Sequence, residues 1–391
     1  MPGPAVDSLS LVDLDHALHA DERAIRETVR TFGAKRLRPH IAEWFESGNV
    51  PARELAPELG DLGLFGMHLN GYGCAGTSTV AYGMACHELE AVDSGLRSLV
   101  SVQGSLAMFA IHRYGSDDQR QQWLPAMAKG EAIGCFGLTE SDAGSDPASM
   151  RTTARRDGSG WVLDGTKLWI TNGTVADVAI VWARTDEGIR GFVVPTDAAG
   201  FSAREIGHKL SLRASVSAEL VLDGVRLPAD AALPEAQGLG AALGCLAEAR
   251  LGIAFGALGA ASDSLETAIA YAEQREVFGR PLAGYQLTQA KLADMTAAIS
   301  AGMLLAVHLG RLHEARRLRP EQVSLGKLHN VRTALHIARE CRTILGASGI
   351  TTEYSPMRHA NNLETVLTYE GTTEVHQLVV GQALTGRSAF R

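Results

Sequence analysis

The hydrophobic period of this chain changes twice, and that change constrains its fold more than any other feature. From about residue 12 to residue 134, apolar residues recur every three or four positions, as in amphipathic helices. Between about 135 and 232 the pattern is strand-like, with an Asp164-Gly165 hairpin signal between two apolar runs. The helical period then returns to the end. We therefore predict an α+β fold with three domains: residues 1–134 (all-α), 135–232 (β) and 233–391 (α-helical bundle).

Composition excludes several classes of protein. With 391 residues, 46% hydrophobic and 20% charged, the chain is globular and not disordered. A net charge of −8 and the lack of a basic stripe argue against nucleic acid as a partner. The five cysteines are widely spread without a CxxC pair, so the sequence signals neither a disulfide framework nor a metal site.

The N-terminal residues resemble neither a secretory signal nor a transit peptide. No uninterrupted apolar run reaches membrane-spanning length, so we expect no membrane association. A cytoplasmic location is the expectation that follows.

A glutamate lies between an aromatic residue and a glycine near the C-terminus, in the segment YEGTTE. Glu370 follows Tyr369 and precedes Gly371, which lets another molecule approach closely. Such a carboxylate suits a general base at a flat, uncharged reaction centre. On local evidence alone, a turn between two helices with an exposed glutamate is the simpler interpretation.

Two further segments favour a bound ring system. The stretch GLTESDAGSD, which contains Leu138, Thr139 and Ser145, offers hydroxyls and backbone N–H groups at the helix-to-strand transition. Trp169 and Thr171 add a large flat ring and a hydroxyl. A capped turn and a core tryptophan remain open as alternatives.

The order of four motifs carries a resemblance to a known family: GLTESDAGSD, LDGTKLWITNG, REVFGRPL with Gln286, and YEGTTE. Over nearly its full length the chain resembles the acyl-CoA dehydrogenases. The resemblance implies an N-terminal helical domain, a middle β domain and a C-terminal four-helix bundle. It also implies FAD as cofactor and a homotetramer built from two dimers.

Cofactor roles follow from the same resemblance. Residues expected to lie against the flavin ring are Leu138, Thr139, Trp169 and Thr171. Further residues assigned to FAD are Ser145, Ile170, Thr372 and Glu374. Residues expected to reach the neighbouring subunit's FAD are Arg275, Phe278 and Gln286. The adenine loop matches Leu345, Gly346 and Gly349, although the family's usual glutamine is absent there.

Glu370 matches the family's catalytic base, with Gly371, Arg250 and Ser145 as further substrate contacts. Some family members place the base immediately before the arginine equivalent to Arg250. That position is Ala249 here, and Glu248 is one residue out of register. We therefore assign the base to Glu370.

The segment from Glu90 to Gln103 resembles the glutaryl-CoA-oxidising members of the family. The resemblance assigns Arg97 to the distal carboxylate, with Ser98 and Ser101 completing the hydrogen bonds. Glu90 lies seven residues earlier, two helical turns away on the same face, and orients Arg97. Without the resemblance, a surface ion pair explains the same spacing.

The implied reaction removes an α-proton to Glu370 and a β-hydride to flavin N5, and then releases CO2 to give crotonyl-CoA. Decarboxylating members carry the glutamate and tyrosine that match Glu90 and Tyr369, so we predict decarboxylation. Electron-transferring flavoprotein is the expected acceptor.

Several alternatives remain open. Leu96, Gly104 and Leu210 depart from the glutaryl pattern and are expected to enlarge the pocket near Arg97. Another short or substituted acyl thioester, on CoA or on a carrier protein, is therefore an alternative substrate. Other possibilities are an oxidase, a serine acyl-hydrolase that uses the SxxK pair Ser324 and Lys327, and a non-catalytic flavin-binding protein.

Overall fold

The computed structural model describes residues 7–390 and has the predicted order of a helical region, a β-sheet and a second helical region. One hydrophobic core extends through the N-terminal helices to one face of the sheet, a second lies among the C-terminal helices, and a third fills the β domain. The predicted fold class is confirmed.

The N-terminal region is built from helices with a small hairpin between them. Its helices are α1 (Leu14–Ala17), α2 (Ala20–Phe32), α3 (Ile41–Ser47), α4 (Ala52–Asp61), α5 (Thr79–Glu90), α6 (Ser94–Ser101), α7 (Phe109–Tyr114) and α8 (Asp117–Ala128). The hairpin strands are β1 (Asn70–Gly71) and β2 (Cys74–Ala75). Wider π-helical turns cover Gly33–Leu37 and Val102–Met108.

Side-chain caps set the start of the two helices that matter most for the site. The Ser78 hydroxyl accepts a 3.0 Å hydrogen bond from the Ala81 amide and begins α5. The Asp93 carboxylate accepts a 2.8 Å bond from the Gly95 amide and begins α6. Its second oxygen accepts from Asn362, which ties this turn to the C-terminal helices.

The middle domain is an eight-stranded, mostly antiparallel sheet. Its strands are β3 (Gly134–Gly137), β4 (Thr153–Asp157), β5 (Gly160–Thr171), β6 (Val178–Thr185), β7 (Gly188–Pro195), β8 (Phe201–Glu205), β9 (Ser217–Leu227) and β10 (Ala232–Gln237). The order is β10-β7-β6-β4-β5-β9-β8, and β3 pairs in parallel with β6.

The predicted hairpin turn at Asp164-Gly165 is wrong. Both residues lie inside β5, where the register against β9 shifts and forms a bulge. A Cβ on Gly165 would lie 2.5 Å from the Thr152 hydroxyl, so close packing requires a glycine at this position. The turn between β4 and β5 instead contains Gly158, whose φ is 60°.

The C-terminal region is dominated by three long helices. Its elements are α9 (Leu239–Gln274), β11 (Glu276–Val277), β12 (Arg280–Pro281), α10 (Gln286–Glu314), α11 (Pro320–Ile344), α12 (Ser355–Val366) and α13 (Thr373–Thr385). Helix α9 is the central member and packs against α5, α10 and α11.

Two of these helices, α9 and α10, are long and apolar enough to cross a membrane by length and composition alone, which the sequence pattern did not predict. The most apolar window of α9 is 72% buried inside the protein, as in the core helix of a bundle. The corresponding window of α10 is only 39% buried. Helix α10 therefore has an apolar face that residues 7–390 leave largely uncovered.

Candidate active site

The segment Tyr369–Gly371 forms a strained turn between α12 and α13. Glu370 has a φ of 51° and Gly371 a φ of 102°. A left-handed conformation costs a residue other than glycine roughly 1–3 kcal/mol, so surrounding contacts must maintain it. Thr372 then begins α13, because its hydroxyl accepts a hydrogen bond from the Val375 amide at 3.3 Å.

Basic side chains hold all three carbonyl groups of this turn. Lys327 on α11 donates from Nζ to the carbonyls of Tyr369 and Gly371, the latter at 2.6 Å. Arg250 on α9 donates from Nε to the carbonyl of Glu370 at 2.7 Å. These bonds fix the backbone from which the Glu370 side chain projects.

The Glu370 carboxyl group has the environment that a general base needs. Within residues 7–390, its Oε2 atom is buried and has no hydrogen-bond partner. Burial raises the pKa of Glu370, while the nearby charges of Arg97, Lys327 and Arg250 act in the opposite direction. A carboxylate that is dry yet close to cations can take up a proton from a bound substrate.

A buried chain of polar contacts connects this turn to α5 and α6. Arg97 donates from Nε to Oε2 of Glu90 at 2.7 Å and from Nη2 to the Tyr369 hydroxyl. Ser94 donates to the other oxygen of Glu90 at 2.8 Å. Gly256 on α9 makes room for this ion pair, since a Cβ there would lie 2.2 Å from Glu90 Oε2.

The predicted contact between Glu90 and Arg97 is present, but its predicted geometry is wrong. Glu90 ends α5 and Arg97 lies in α6, so the two residues do not share one helical face. The turn at Asp93 reverses the chain between them and brings the side chains together. Both side chains are buried, and Arg97 is 1% exposed, which excludes a surface ion pair.

Two buried hydroxyls lie on α6, the helix that carries Arg97. In the described part of the chain, Ser98 Oγ and Ser101 Oγ are buried without a hydrogen-bond partner. Buried polar groups are normally satisfied, so unmatched hydroxyls on the helix that carries a buried guanidinium indicate a site for a polar ligand.

The three departures from the glutaryl pattern lie in three different environments. Leu96 is buried in the N-terminal core, and Leu210 is 83% exposed on the surface. A Cβ on Gly104 would lie 2.7 Å from the backbone nitrogen of Gly66, so this glycine allows two backbones to approach. The expected enlargement stays a prediction.

The two segments predicted to hold a ring system meet in the sheet domain. The Leu168 amide donates to the Thr139 carbonyl at 2.9 Å, and Lys167 Nζ donates to the Leu138 carbonyl at 3.1 Å. Lys167 also pairs with Glu140 at 2.8 Å. These hydrogen bonds place the Leu138–Thr139 backbone, which follows β3, beside the part of β5 that carries Trp169.

Trp169 lies on a bulge of β5 with a φ of 63°, and its side chain is 59% exposed. An indole held on a strained, exposed backbone beside polar groups fits the isoalloxazine ring of FAD. Thr171, two residues later on the same strand, is half-buried. Ile170 differs, because its side chain packs in the core of the β domain and not on this face.

The remaining predicted cofactor residues lie in separate places. Thr372 and Glu374 line a pocket of about 430 Å³ together with Arg332, Glu364, Leu367, Thr368 and Thr373. Gly346 is exposed, whereas Gly349 is buried against the end of α11 and the Leu345 side chain belongs to the bundle core.

Ser145 and the residues around the β11–β12 hairpin are at the surface. Ser145 is exposed in the loop after β3. Arg275, Phe278 and Gln286 are also exposed, and Phe278 reaches 96% exposure. A phenylalanine in this state lacks a packing partner within its own chain, as expected for a residue that contacts another molecule.

Two alternative chemistries do not fit the geometry. The Glu248 carboxylate contacts His313 at 3.1 Å and His68 at 3.5 Å, so histidines on the N-terminal side and α10 hold it. The hydroxyl of Ser324 is buried against His376 at 3.0 Å, and the Lys327 ammonium is bound to carbonyls of the Glu370 turn. The SxxK pair therefore supports this turn and does not form an exposed nucleophile.

Sequence reasoning missed Lys167, Lys327 and His376. Each contacts residues far away in the chain, and a periodic pattern carries no information about such contacts. The one available signal was the spacing of Ser324 and Lys327, which places both on adjacent turns of α11.

Comparison with known proteins agrees with this arrangement. Family models of acyl-CoA dehydrogenases match the chain in three parts: the N-terminal domain at residues 19–131, the middle domain at 135–225 and the C-terminal domain at 236–385. The short-chain specific mitochondrial acyl-CoA dehydrogenase of Bos taurus is 37% identical, over 91% of this chain and 88% of the relative.

Solved structures give the same answer. A glutaryl-CoA dehydrogenase from Mycobacterium smegmatis in complex with FADH2 is 67% identical, with a TM-score of 0.97, over 98% of this chain and 100% of that chain. Butyryl-CoA dehydrogenase from Megasphaera elsdenii is 32% identical, with a TM-score of 0.90, over 94% and 98% of the two chains. The protein therefore belongs to the acyl-CoA dehydrogenase family and is an FAD-dependent acyl-CoA dehydrogenase.

Proposed function

We propose that this enzyme oxidises glutaryl-CoA and decarboxylates the product to crotonyl-CoA and CO2. The observation that carries the proposal is the buried Arg97, which contacts Glu90 and Tyr369 next to the turn of the base. A purely alkyl acyl chain gives no reason to bury a guanidinium and two unsatisfied hydroxyls. A distal carboxylate would give the Arg97 guanidinium a charge-assisted hydrogen-bond partner.

Glu370 is the proposed base for the first step. Its buried carboxylate takes the proton from the α carbon of the thioester, and the fixed backbone of the turn sets its direction. When bound, FAD supplies the two-electron acceptor for the hydride from the β carbon. Arg97 holds the far end of the acyl chain, so that the α carbon and the carboxylate stay in register.

The second step releases CO2 from the distal carboxylate. The C–C bond to the carboxylate breaks, its electron pair passes into the unsaturated thioester, and protonated Glu370 returns a proton to the γ carbon. This step needs Arg97 to bind the carboxylate without holding it too strongly. Glu90 already shares the charge of Arg97, which weakens its grip on the substrate and favours release.

A second candidate function is the oxidation of an unbranched short-chain acyl-CoA. The similarity to the Bos taurus short-chain enzyme favours it. In addition, Arg97 already has two protein partners, Glu90 and Tyr369, which is consistent with a structural role. In that case Glu370 keeps its role as base, and only the assignment of Arg97 changes.

Steady-state rates and product analysis separate the two candidates. We expect a higher kcat/KM for glutaryl-CoA than for butyryl-CoA, and crotonyl-CoA with CO2 as products. A preference for butyryl-CoA contradicts the glutaryl proposal. Bleaching of the flavin that stops at glutaconyl-CoA contradicts decarboxylation alone.

We also propose a homotetramer that passes electrons to electron-transferring flavoprotein. Support for assembly comes from the exposed Phe278 and from the apolar face of α10. Light scattering of the FAD-loaded protein tests the first part, and a monomer would contradict it. The proposed electron transfer is tested by comparing the rate of reduction of electron-transferring flavoprotein with the rate of peroxide release in air. Faster peroxide release would contradict it.

A further inference from the structure

A buried lysine contacts the turn that carries Glu370. Lys327 lies on α11, is 1% exposed and donates to the carbonyls on both sides of Glu370. Among residues 7–390, no carboxylate lies within ion-pair distance of its ammonium group. The family resemblance gave this residue no role.

Such a lysine is costly for the fold. Burial of an ammonium group is unfavourable unless an opposite charge compensates it, and two neutral carbonyls do so only in part. Burial lowers the pKa of Lys327, while the negative charge of Glu370 acts in the opposite direction and favours the ammonium form. An apolar side chain of similar length would avoid the buried charge but would leave the carbonyls of Tyr369 and Gly371 without these donors, so the lysine serves the turn that it holds.

We propose that Lys327 is a positioning residue for Glu370. Its ammonium group clamps the carbonyls of Tyr369 and Gly371, which keeps Glu370 in its left-handed conformation, and its charge favours the ionised carboxylate before substrate binds. The inference deepens the function proposed above, because it rests on Glu370 as the base, but it does not depend on the acyl group.

The other groups around Glu370 have separate tasks. Arg97 from α6 is paired with Glu90, and Arg250 from α9 holds the Glu370 carbonyl. From α13, His376 is neutral, because burial and the charges of Lys327 and Arg250 lower its pKa to about 3. From α5, Cys86 is a buried thiol whose pKa burial raises to about 12. Among these groups, all of them in the described part of the chain, Lys327 alone donates to backbone carbonyls on both sides of the base.

The test compares Lys327→Met, Lys327→Gln and Lys327→Arg in the FAD-loaded holoenzyme. The first removes charge and donor, the second keeps a donor without charge, and the third keeps the charge. Lys129→Met, at a lysine whose side chain is 69% exposed, is the matched control. Glu370 is titrated without substrate by infrared difference spectroscopy, with Glu370→Gln to identify its carboxyl band.

We expect Lys327→Met and Lys327→Gln to raise the titration midpoint of Glu370 by about 1 pH unit or more, since an adjacent opposite charge shifts a carboxyl by that order. Anaerobic flavin bleaching at neutral pH should slow on the order of tenfold or more. Lys327→Arg should keep the wild-type midpoint, and Lys129→Met should change neither measurement.

An unchanged midpoint in Lys327→Gln that retains FAD overturns the proposal, even if Lys327→Met does not fold. A slower reaction without a shifted midpoint overturns the charge effect proposed for Lys327, because loss of the two backbone bonds alone predicts that result. Bleaching is followed with whichever acyl-CoA the wild type oxidises fastest. A preference for butyryl-CoA thus contradicts the glutaryl assignment while leaving this test intact.

Discussion

Arg97 Nε and Glu90 Oε2 are 2.7 Å apart in a buried ion pair, although the two residues belong to consecutive helices. The same guanidinium contacts the hydroxyl of Tyr369, the residue before the proposed base. One cation therefore connects the end of α5 to the turn that precedes α13. In the proposed function, Arg97 binds the carboxylate at the far end of the acyl chain, and the turn that it contacts carries the base for the α carbon at the other end.

Glu90→Gln should separate oxidation from decarboxylation. Glutamine can still accept a hydrogen bond from Arg97 but no longer offsets its charge, so a substrate carboxylate is held more tightly. We expect flavin bleaching by glutaryl-CoA to continue while the ratio of crotonyl-CoA to glutaconyl-CoA falls on the order of tenfold. Chromatography of the acyl products measures this ratio. Glu131→Gln, at an exposed site, is the control, and an unchanged ratio in Glu90→Gln argues against a role in CO2 release.

Arg97→Met should change substrate preference more than it changes chemistry. Loss of a buried, hydrogen-bonded charge partner costs about 2–5 kcal/mol, so kcat/KM for glutaryl-CoA should fall by roughly 30-fold or more. The value for butyryl-CoA should change far less, because that chain has no carboxylate to bind. Arg97→Lys keeps the charge without the planar fork and should give an intermediate result. Equal losses for both substrates would assign Arg97 a structural role.

Glu370→Gln should retain FAD and lose the reaction. A general base contributes about 10²- to 10⁴-fold, so anaerobic bleaching by any acyl-CoA should slow by at least that order. The absorbance of bound flavin checks that the cofactor remains. Full activity in this variant would move the base elsewhere, with Glu248 as the next residue to test.

The fold was predictable because the hydrophobic period is a local property. The switch from helix to strand and back is present in the sequence itself, and the domains follow from it. The Asp164-Gly165 signal failed because a bulge in a long strand and a two-residue turn require the same residue types. The structure was needed to show that Thr152 lies against Gly165.

The site was predictable only in part. The family resemblance predicted the contact between Glu90 and Arg97. Spacing placed both residues on one helical face, because the Asp93 cap that begins α6 went unrecognised. Lys327 lies more than forty residues from the turn that it holds, and nothing in its local sequence marks it as buried. Charges that act across such distances are set by tertiary packing.

The pH dependence of flavin reduction should reveal the environment of Glu370. Burial raises the pKa of this carboxyl group, and the base is active only when ionised. As the pH falls, activity is therefore lost through the folded-state pKa, at a higher pH than an exposed glutamate would give. Stopped-flow rates of flavin reduction at a series of decreasing pH values measure the midpoint of this loss. A midpoint at or below the ordinary pKa of glutamate contradicts a buried base.

Lys167→Met should weaken FAD binding, because Lys167 holds the Leu138–Thr139 segment beside Trp169. Lys167 is fully buried, donates to the Leu138 carbonyl and pairs with Glu140. Its loss frees that carbonyl and removes the cation from the buried Glu140 carboxylate, which then keeps its hydrogen bonds from the Arg151 and Thr152 amides. Breaking one side of a buried pair is strongly destabilising, whereas replacing both sides is milder. We expect Tm to fall in Lys167→Met and to recover in part in the double variant with Glu140→Gln. Affinity for FAD, measured by flavin fluorescence on dilution, should stay on the order of tenfold weaker in both, because neither restores the bond to Leu138. Wild-type affinity in the double variant would show that the lysine serves stability and not the flavin loop.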